Sequence, residues 1–374
     1  VEQGNGVTFM TQDNRCTIPF TGLPQIHLYD NSVSPCCKVR SSPIDPVTGV
    51  LNKKFIELRR DIKDNKRNAQ CTSCWKIDDD GGPSYRRRHS HHDSRPLDWK
   101  NLDVYQPVRN AEIAFSNKCQ LMCVYCYPTV SSMWEDQQSR FTKFKGIAVR
   151  PAEARRIHDI LDVNLLKNVQ VTGGEPMLDQ DCIDFMMALP FDSNRYISII
   201  TNLSYGSAVL GILNGIVDKH PNIVLMCSLD AIGENPTRKY LNWNLWDRNF
   251  KIIVSGLQER RKQYPNTNII IKFTMNIMNY MNVRDIMEYV LKLRQEGFKG
   301  ITFDINPISE TDVTSMKSGI VDQMARIEIN DRLQKLLDQK ELNTIEQFNS
   351  FLQNVTFDPV LAERTEEYLK EYLK

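Results

Sequence analysis

The sequence has almost no net charge: 47 Lys and Arg stand against 46 Asp and Glu over 374 residues. That balance gives no global electrostatic footprint for nucleic acid or acidic lipid, and neither is expected as a partner. There is no apolar run of the roughly 18 residues that would span a bilayer, so no membrane segment is expected. No basic-then-apolar segment opens the chain, which argues against a secretory signal. The first residue is Val1 rather than Met, so a few residues are expected to be missing from the start. Cysteine is absent after Cys227, and eight of the ten cysteines precede residue 127. A chain this long seldom depends on disulfides, and clustered thiols suit metal binding in a reducing cytoplasm. Hydrophobic residues make up 41%, enough for one large domain or two to three smaller ones, which excludes wholesale disorder.

The most informative stretch is Cys119-Gln-Leu-Met-Cys123-Val-Tyr-Cys126, three cysteines at C-x3-C-x2-C on a short loop behind a strand-like Ala111–Ser116. Thiolates are soft ligands that suit iron–sulfur clusters. Three of them leave one iron of a [4Fe–4S] cubane open, and an open position marks a catalytic rather than a structural metal. The competing reading is a zinc knuckle, but zinc loops more often use C-x2-C pairs with a second pair elsewhere.

These residues resemble the radical SAM enzymes, in which a C-x3-C-x-aromatic-C loop follows the first strand of a partial (β/α)6 barrel; Tyr125 takes the aromatic place. A second motif agrees: Val169-Gln-Val-Thr is followed by Gly173-Gly174-Glu175-Pro176, the GGEP element that in this family holds the amino group of S-adenosylmethionine (SAM). The resemblance covers about residues 105–310. It implies an α/β fold, a partial (β/α)6 TIM-type barrel with a small N-terminal iron–sulfur segment and C-terminal helices.

The alternation of strand and helix signals points the same way. Strands are expected at 111–116, 168–172, 196–202, 222–229, 267–276 and 300–306. Helices are expected at Ala152–Leu166, Asp181–Leu189, Ser207–Lys219, Phe250–Gln263 and Val283–Glu296. Chemistry in such barrels gathers at the C-terminal strand ends. Those ends carry Thr201-Asn202, Ser228-Leu-Asp230, Asn276 and Asn306. The resemblance implies that Ser228 and Asn276 contact the ribose and carboxylate of SAM, and that Glu175 faces its amino group. By strand parity Lys272 and Asp304 meet inside the barrel, as a structural ion pair or as a substrate-binding pair. Cys182, Cys227, Met275, Met278 and Met281 read as core residues. Arg238-Lys-Tyr-Leu-Asn-Trp-Asn-Leu-Trp246 reads as a wall of the active site or a cover for the barrel.

Upstream, Cys16, Cys36, Cys71 and Cys74 resemble the auxiliary-cluster segment called SPASM or twitch, with Cys37 able to replace Cys36. Asn31 stands where that pattern has glycine, a tolerable change because Asn visits positive φ. The segment precedes the barrel here, whereas the family usually places it after. It implies a second [4Fe–4S] cluster; a four-thiolate zinc site is the alternative. Phe55–Lys63 reads as an amphipathic helix. Tyr85–Arg95, with four Arg and three His, reads as a solvated linker rather than a cationic arm for an anion.

Beyond the barrel, helices are expected at Gly319–Gln339, at Thr344–Asn354 behind a capping box Asn343–Glu346, and at Glu363–Lys374 on the surface. The divisions are 1–100, 101–310 and 311–374. The function implied is reductive cleavage of SAM to a 5′-deoxyadenosyl radical that abstracts a substrate hydrogen, with electrons from a reductant such as flavodoxin or ferredoxin. A peptide is the first expectation for substrate. A small metabolite such as a sugar or nucleoside is the second. A non-catalytic iron–sulfur scaffold is the reading from another class.

Overall fold

A computed structural model describes residues 14–80, 84–90, 97–137, 140–141, 156–308, 314–319, 321–322 and 325–373. The chain forms two compact units. The first is Val1–Glu112 with Glu153–Asn168, and the second is Ile113–Ala152 with Val169–Lys374.

In the first unit, β1 (Gln25–His27), β2 (Ser32–Ser34) and β3 (Ser42–Pro43) form a small antiparallel meander. Asn31 makes its tight turn at φ 54°, the conformation anticipated from its side chain. Helix α1 (Lys53–Lys63) begins where the Asn52 side chain accepts Phe55 N–H, and it buries Phe55, Leu58 and Ile62 along one face. Helix α2 (Thr72–Asp79) carries Cys74 and Trp75 inward. Helix α3 (Tyr85–Ser90) occupies the start of the expected linker; residues 91–95 lie outside the described set. The expected helix at Ala152–Leu166 is not found. Residues 152–155 are not described, and the rest makes two 3-10 turns, Ile157–Asp159 and Val163–Leu165. Asp162 explains the second: its side chain accepts Asn164 N–H, a local turn that competes with helix.

The second unit contains parallel strands in the order β11-β10-β8-β7-β6-β4, and the sheet does not close. They are β4 (Asn110–Ala114), β6 (Asn168–Thr172), β7 (Tyr196–Thr201), β8 (Asn222–Ser228), β10 (Asn268–Met275) and β11 (Ile301–Pro307). Helices α4 (Gln180–Ala188), α5 (Ser207–Lys219), α6 (Trp243–Gln263) and α7 (Val283–Gln295) lie between them in sequence. The strands alternate buried and half-buried residues, as sheet faces require: in β10 Ile269, Ile271, Phe273 and Met275 are buried. Cys182 and Cys227 are buried thiols, as expected, whereas Met281 is exposed. A two-stranded ribbon joins β5 (Met122–Cys123) antiparallel to β9 (Arg238–Lys239).

The C-terminal part departs from the sequence expectation. Gly319–Gln339 is not one helix: its described residues hold the short helix Asp331–Leu336 and the first position of α8 (Gln339–Asn354). The capping box of α8 is Asp338 with Glu341, not Asn343 with Glu346, because that pair exchanges side-chain and backbone hydrogen bonds at the real start. Helix α9 (Pro359–Tyr372) starts earlier than expected and is no surface helix: Tyr368 and Tyr372 are fully buried.

Candidate functional site

Cys119, Cys123 and Cys126 sit on the loop after β4, and none of the ten cysteines is in a disulfide. Side chains from several elements fix this loop by its backbone. Ser132 donates to Cys119 O at 3.2 Å, Ser131 to Leu121 O at 3.0 Å, and Trp134 Nε1 to Cys123 O at 2.7 Å. From α9, Tyr372 donates to Met122 O at 2.6 Å and Tyr368 to Val124 O at 2.7 Å. Five successive or near-successive carbonyls that a loop would give to water are thus paired inside the protein. The rings of Tyr368 and Tyr372 stack on Trp134, with centroids 6.2 and 6.0 Å away.

The glycine motif braces the same loop. Gly174 N–H donates to Ser116 O at 3.0 Å and Glu175 N–H to Lys118 O at 2.6 Å. A Cβ on Gly174 would lie 2.1 Å from Lys118 O, so only glycine allows this approach. Gly173 has φ 118°, where side-chain-bearing residues are strained. Pro176 opens a 3-10 turn. Glu175 is 1% exposed, with Oε1 accepting Thr201 Oγ1 at 2.8 Å and Oε2 accepting Asn202 N–H at 2.6 Å. Burial raises its carboxyl from 4.5 to about 7, against the opposing pull of the Asn202 and Thr201 hydrogen bonds. The side chain expected to face a ligand therefore ties the end of β6 to the end of β7.

Asn202 does reach the loop: its Nδ2 donates to Cys119 Sγ at 3.8 Å and to Gln120 Oε1 at 3.2 Å. Gln120 returns the contact to Asn202 Oδ1 at 3.0 Å and to Ser204 O at 2.7 Å. Between them Leu203 is held at φ 52° while Asn249 of α6 donates to its carbonyl at 2.9 Å. Such strain costs on the order of 1–3 kcal/mol and persists only where surroundings enforce it.

Asp230, at the end of β8, is buried and crowded with donors. Tyr125 OH donates to it at 2.6 Å, Thr237 Oγ1 at 3.2 Å and Thr274 N–H at 3.1 Å. Arg238 Nε stands 2.9 Å from Asp230 Oδ2, an ion-pair contact without hydrogen-bond alignment, and Nη2 donates to Oδ1 at 3.4 Å. Arg238 Nη1 donates to Cys123 Sγ at 3.6 Å. The Cys123 thiol is lowered, first by its hydrogen bond with Cys126 and, against burial, by Arg238. Burial pushes the Cys119 thiol up to about 12.

Asn276 directly follows β10. It is buried and orders its own turn, with Nδ2 donating to Thr274 O at 3.2 Å and Oδ1 accepting Met278 N–H at 2.9 Å. Ser228 is half-buried beside Lys272 in the sheet register, and its carbonyl accepts Trp246 Nε1 at 3.2 Å. Lys272 and Asp304 are register partners and form the ion pair read from strand parity; Asn306 Nδ2 donates to the same carboxylate at 3.3 Å.

In the first unit, Cys16, Cys36, Cys71 and Cys74 line one cavity together with Tyr85 and Arg86, while Cys37 is exposed. Burial, ahead of neighbouring thiols, pushes Cys36 and Cys71 up to about 12. Arg86 is no solvated linker residue: Nε and Nη2 donate to buried Asp78 Oδ2 at 3.0 and 2.5 Å. Its guanidinium lies 4.6 Å from the Trp75 ring centroid. Among the described residues, no three Cys, His, Asp or Glu side chains crowd together as one metal ion requires.

Sequence reading missed Gln120, Trp134, Tyr368 and Tyr372, and it named Arg238 only within a segment that walls the site or covers the barrel; the structure puts Arg238 at Cys123 and Asp230. The two tyrosines left a signal: Leu361, Thr365, Tyr368 and Tyr372 recur at helical spacing.

The sheet of parallel strands gathers three thiols, a glycine turn and buried acids at one set of strand ends, where barrels of this kind place their chemistry. Residues 113–293 match the Radical SAM superfamily, and the chain carries a radical SAM domain. Relatives include a protein of Archaeoglobus fulgidus named "Probable GTP 3′,8-cyclase", 26% identical over 223 residues, which are 54% of this chain and 67% of the relative. A protein of the same name from Methanocaldococcus jannaschii is 23% identical over 212 residues, 54% of this chain and 65% of the relative. The GTP 3′,8-cyclase of Aliarcobacter butzleri is 23% identical over 191 residues, 50% and 52% of the two chains. The chain thus spans about half to two thirds of the length of these relatives. Among the described residues, no helix is long and apolar enough to cross a membrane.

Proposed function

We propose that this chain is a radical SAM enzyme that abstracts a hydrogen atom from a small nucleotide- or nucleoside-like substrate. The observation that carries the radical chemistry is the loop of Cys119, Cys123 and Cys126, held by its carbonyls with N–H donors aimed at two of its sulfurs. Three thiolates and N–H···S contacts are the donor set of a [4Fe–4S] cluster with one open iron. When bound, that cluster supplies the electron that cleaves SAM to methionine and a 5′-deoxyadenosyl radical. The protein's own part is to orient and to exclude water. The Gly173–Gly174 turn brings backbone close to the loop, Glu175 locks that turn to β7, and Asn202 and Ser228 line the strand ends where SAM would lie. Asn276 serves by shaping the turn after β10. Half-buried Lys272 and Asp304, with exposed Asn306 beside them, offer a polar group suited to a substrate's hydroxyls or phosphate.

The relatives' names support a nucleotide-class substrate. They name a nucleotide and give no support to a peptide. A second [4Fe–4S] cluster held by Cys16, Cys36, Cys71 and Cys74 completes the reading. Its support is that the four thiols line one cavity, and thiolates are the usual ligands of such clusters. Both clusters need a reducing compartment and a flavodoxin- or ferredoxin-type electron donor.

The test uses anaerobically reconstituted, reduced protein with SAM and deuterated nucleosides and nucleoside triphosphates, beside deuterated peptides. Deuterium is expected in 5′-deoxyadenosine from a nucleotide-class compound, and none is expected with Cys123→Ala. Transfer from peptides alone would overturn the substrate class.

A further inference from the structure

We propose that Arg238 tunes the three-thiolate centre: its guanidinium donates to the Cys123 sulfur and raises the potential at which a cluster held there accepts an electron. This rests on the reading of Cys119, Cys123 and Cys126 as cluster ligands.

The sheet register places Arg238 there. In the ribbon of β5 and β9, Cys123 and Arg238 are direct partners, and Val124 N–H donates to Thr237 O at 2.8 Å, which continues the pairing. The side chain is 6% exposed and cannot swing away. Asp230 holds it from one side, and the Tyr125 ring lies 5.4 Å from its guanidinium carbon. Tyr125, Thr237 and Thr274 hold Asp230 in turn. A buried cation is costly unless paired. Asp230 answers that cost and leaves Nη1, 3.6 Å from Cys123 Sγ, as the donor directed at the loop.

The three thiols are therefore not equivalent. Cys119 receives neutral donors, Leu121 N–H at 3.5 Å and Asn202 Nδ2 at 3.8 Å. Cys123 receives a charged one. A charge-assisted donor withdraws electron density from a thiolate, and hydrogen bonds to the sulfurs are among the factors that set a cluster's potential. The step affected is a one-electron reduction: the external reductant loses the electron, the cluster gains it, and the guanidinium keeps all its protons.

The experiment is a redox titration of the full chain, reconstituted anaerobically and followed by the electron paramagnetic resonance signal that changes when SAM is added. That response separates the open centre from the four-thiol one. Arg238→Gln is expected to lower the midpoint by about 60 mV, a tenfold weaker one-electron reduction. Arg238→Lys, which keeps the charge without the fork, is expected to fall between. Because Arg238→Gln strands the Asp230 carboxylate, Asp230→Asn/Arg238→Gln is titrated too and is expected to shift the same way. A wild-type midpoint in either Gln-containing variant at full iron content would overturn the tuning role alone. Wild-type protein with no SAM-responsive signal would overturn both this role and the function it rests on.

Discussion

Glu175 ties the ends of two strands together through a fully buried carboxylate. The sequence marks the glycine–glycine–glutamate turn, but the partners of the carboxylate, Thr201 and Asn202, are 26 and 27 residues away, so no local pattern reveals them. Its raised carboxyl makes a pH prediction. Between about 4.5 and about 7 the folded chain keeps a proton that the unfolded chain has lost. The stability this group contributes is full below 4.5 and is lost as pH rises through 7. Thermal melts of cluster-free protein should show wild type losing stability relative to Glu175→Gln across that window, and parallel curves would contradict it. Gly174 allows a sharper substitution. Gly174→Ala forces the backbone at Lys118 to move, so iron bound at the Cys119 loop should fall several-fold. Wild-type iron there would show that the close approach is dispensable.

At the scale of elements, the strands were legible because parallel sheets write alternation and apolar runs into short windows. The helices α5 and α7 were legible from their amphipathic period. What failed was local competition, as at Asp162, and long-range packing, as at α9. Arg238 acts on a cysteine 115 residues away, and Tyr372 on a carbonyl 250 residues away. Such pairings exist only once the fold brings the segments together, so composition and spacing could suggest a buried stripe on α9 but not its target. The three cysteines and the glycine turn were legible because metal ligation and tight backbone approach fix residue type at short spacing. If α9 braces the loop, Tyr368→Phe/Tyr372→Phe should cost about 1 kcal/mol per lost hydrogen bond. Its cluster should also lose iron faster to a chelator than that of wild type. An unchanged rate would make α9 a packing element only.

Across the whole chain, the two units repeat one device. Buried thiols gather beside a buried Arg–Asp pair, Arg86 with Asp78 in the first and Arg238 with Asp230 in the second. The first unit was half legible: its cysteine spacing pointed to four ligands, but Arg86 was hidden in a run of arginines that reads as solvated. Asp78 is held low despite burial by hydrogen bonds from Ser84 and Arg86 and by the charges of Arg86 and Arg87. Removing one partner of such a pair costs about 3–5 kcal/mol, so Arg86→Ala should lower the melting temperature of the cluster-free chain well beyond Arg87→Ala, whose side chain also pairs with Asp78 but is 43% exposed. The account as a whole stands on the open centre. Its most direct test is the formation of 5′-deoxyadenosine from SAM by anaerobically reconstituted, dithionite-reduced protein without added substrate. Wild type should release 5′-deoxyadenosine and methionine in equal amounts, and Cys123→Ala none. Wild type fully loaded with iron that neither binds nor cleaves SAM would contradict the account and leave the thiols as a scaffold.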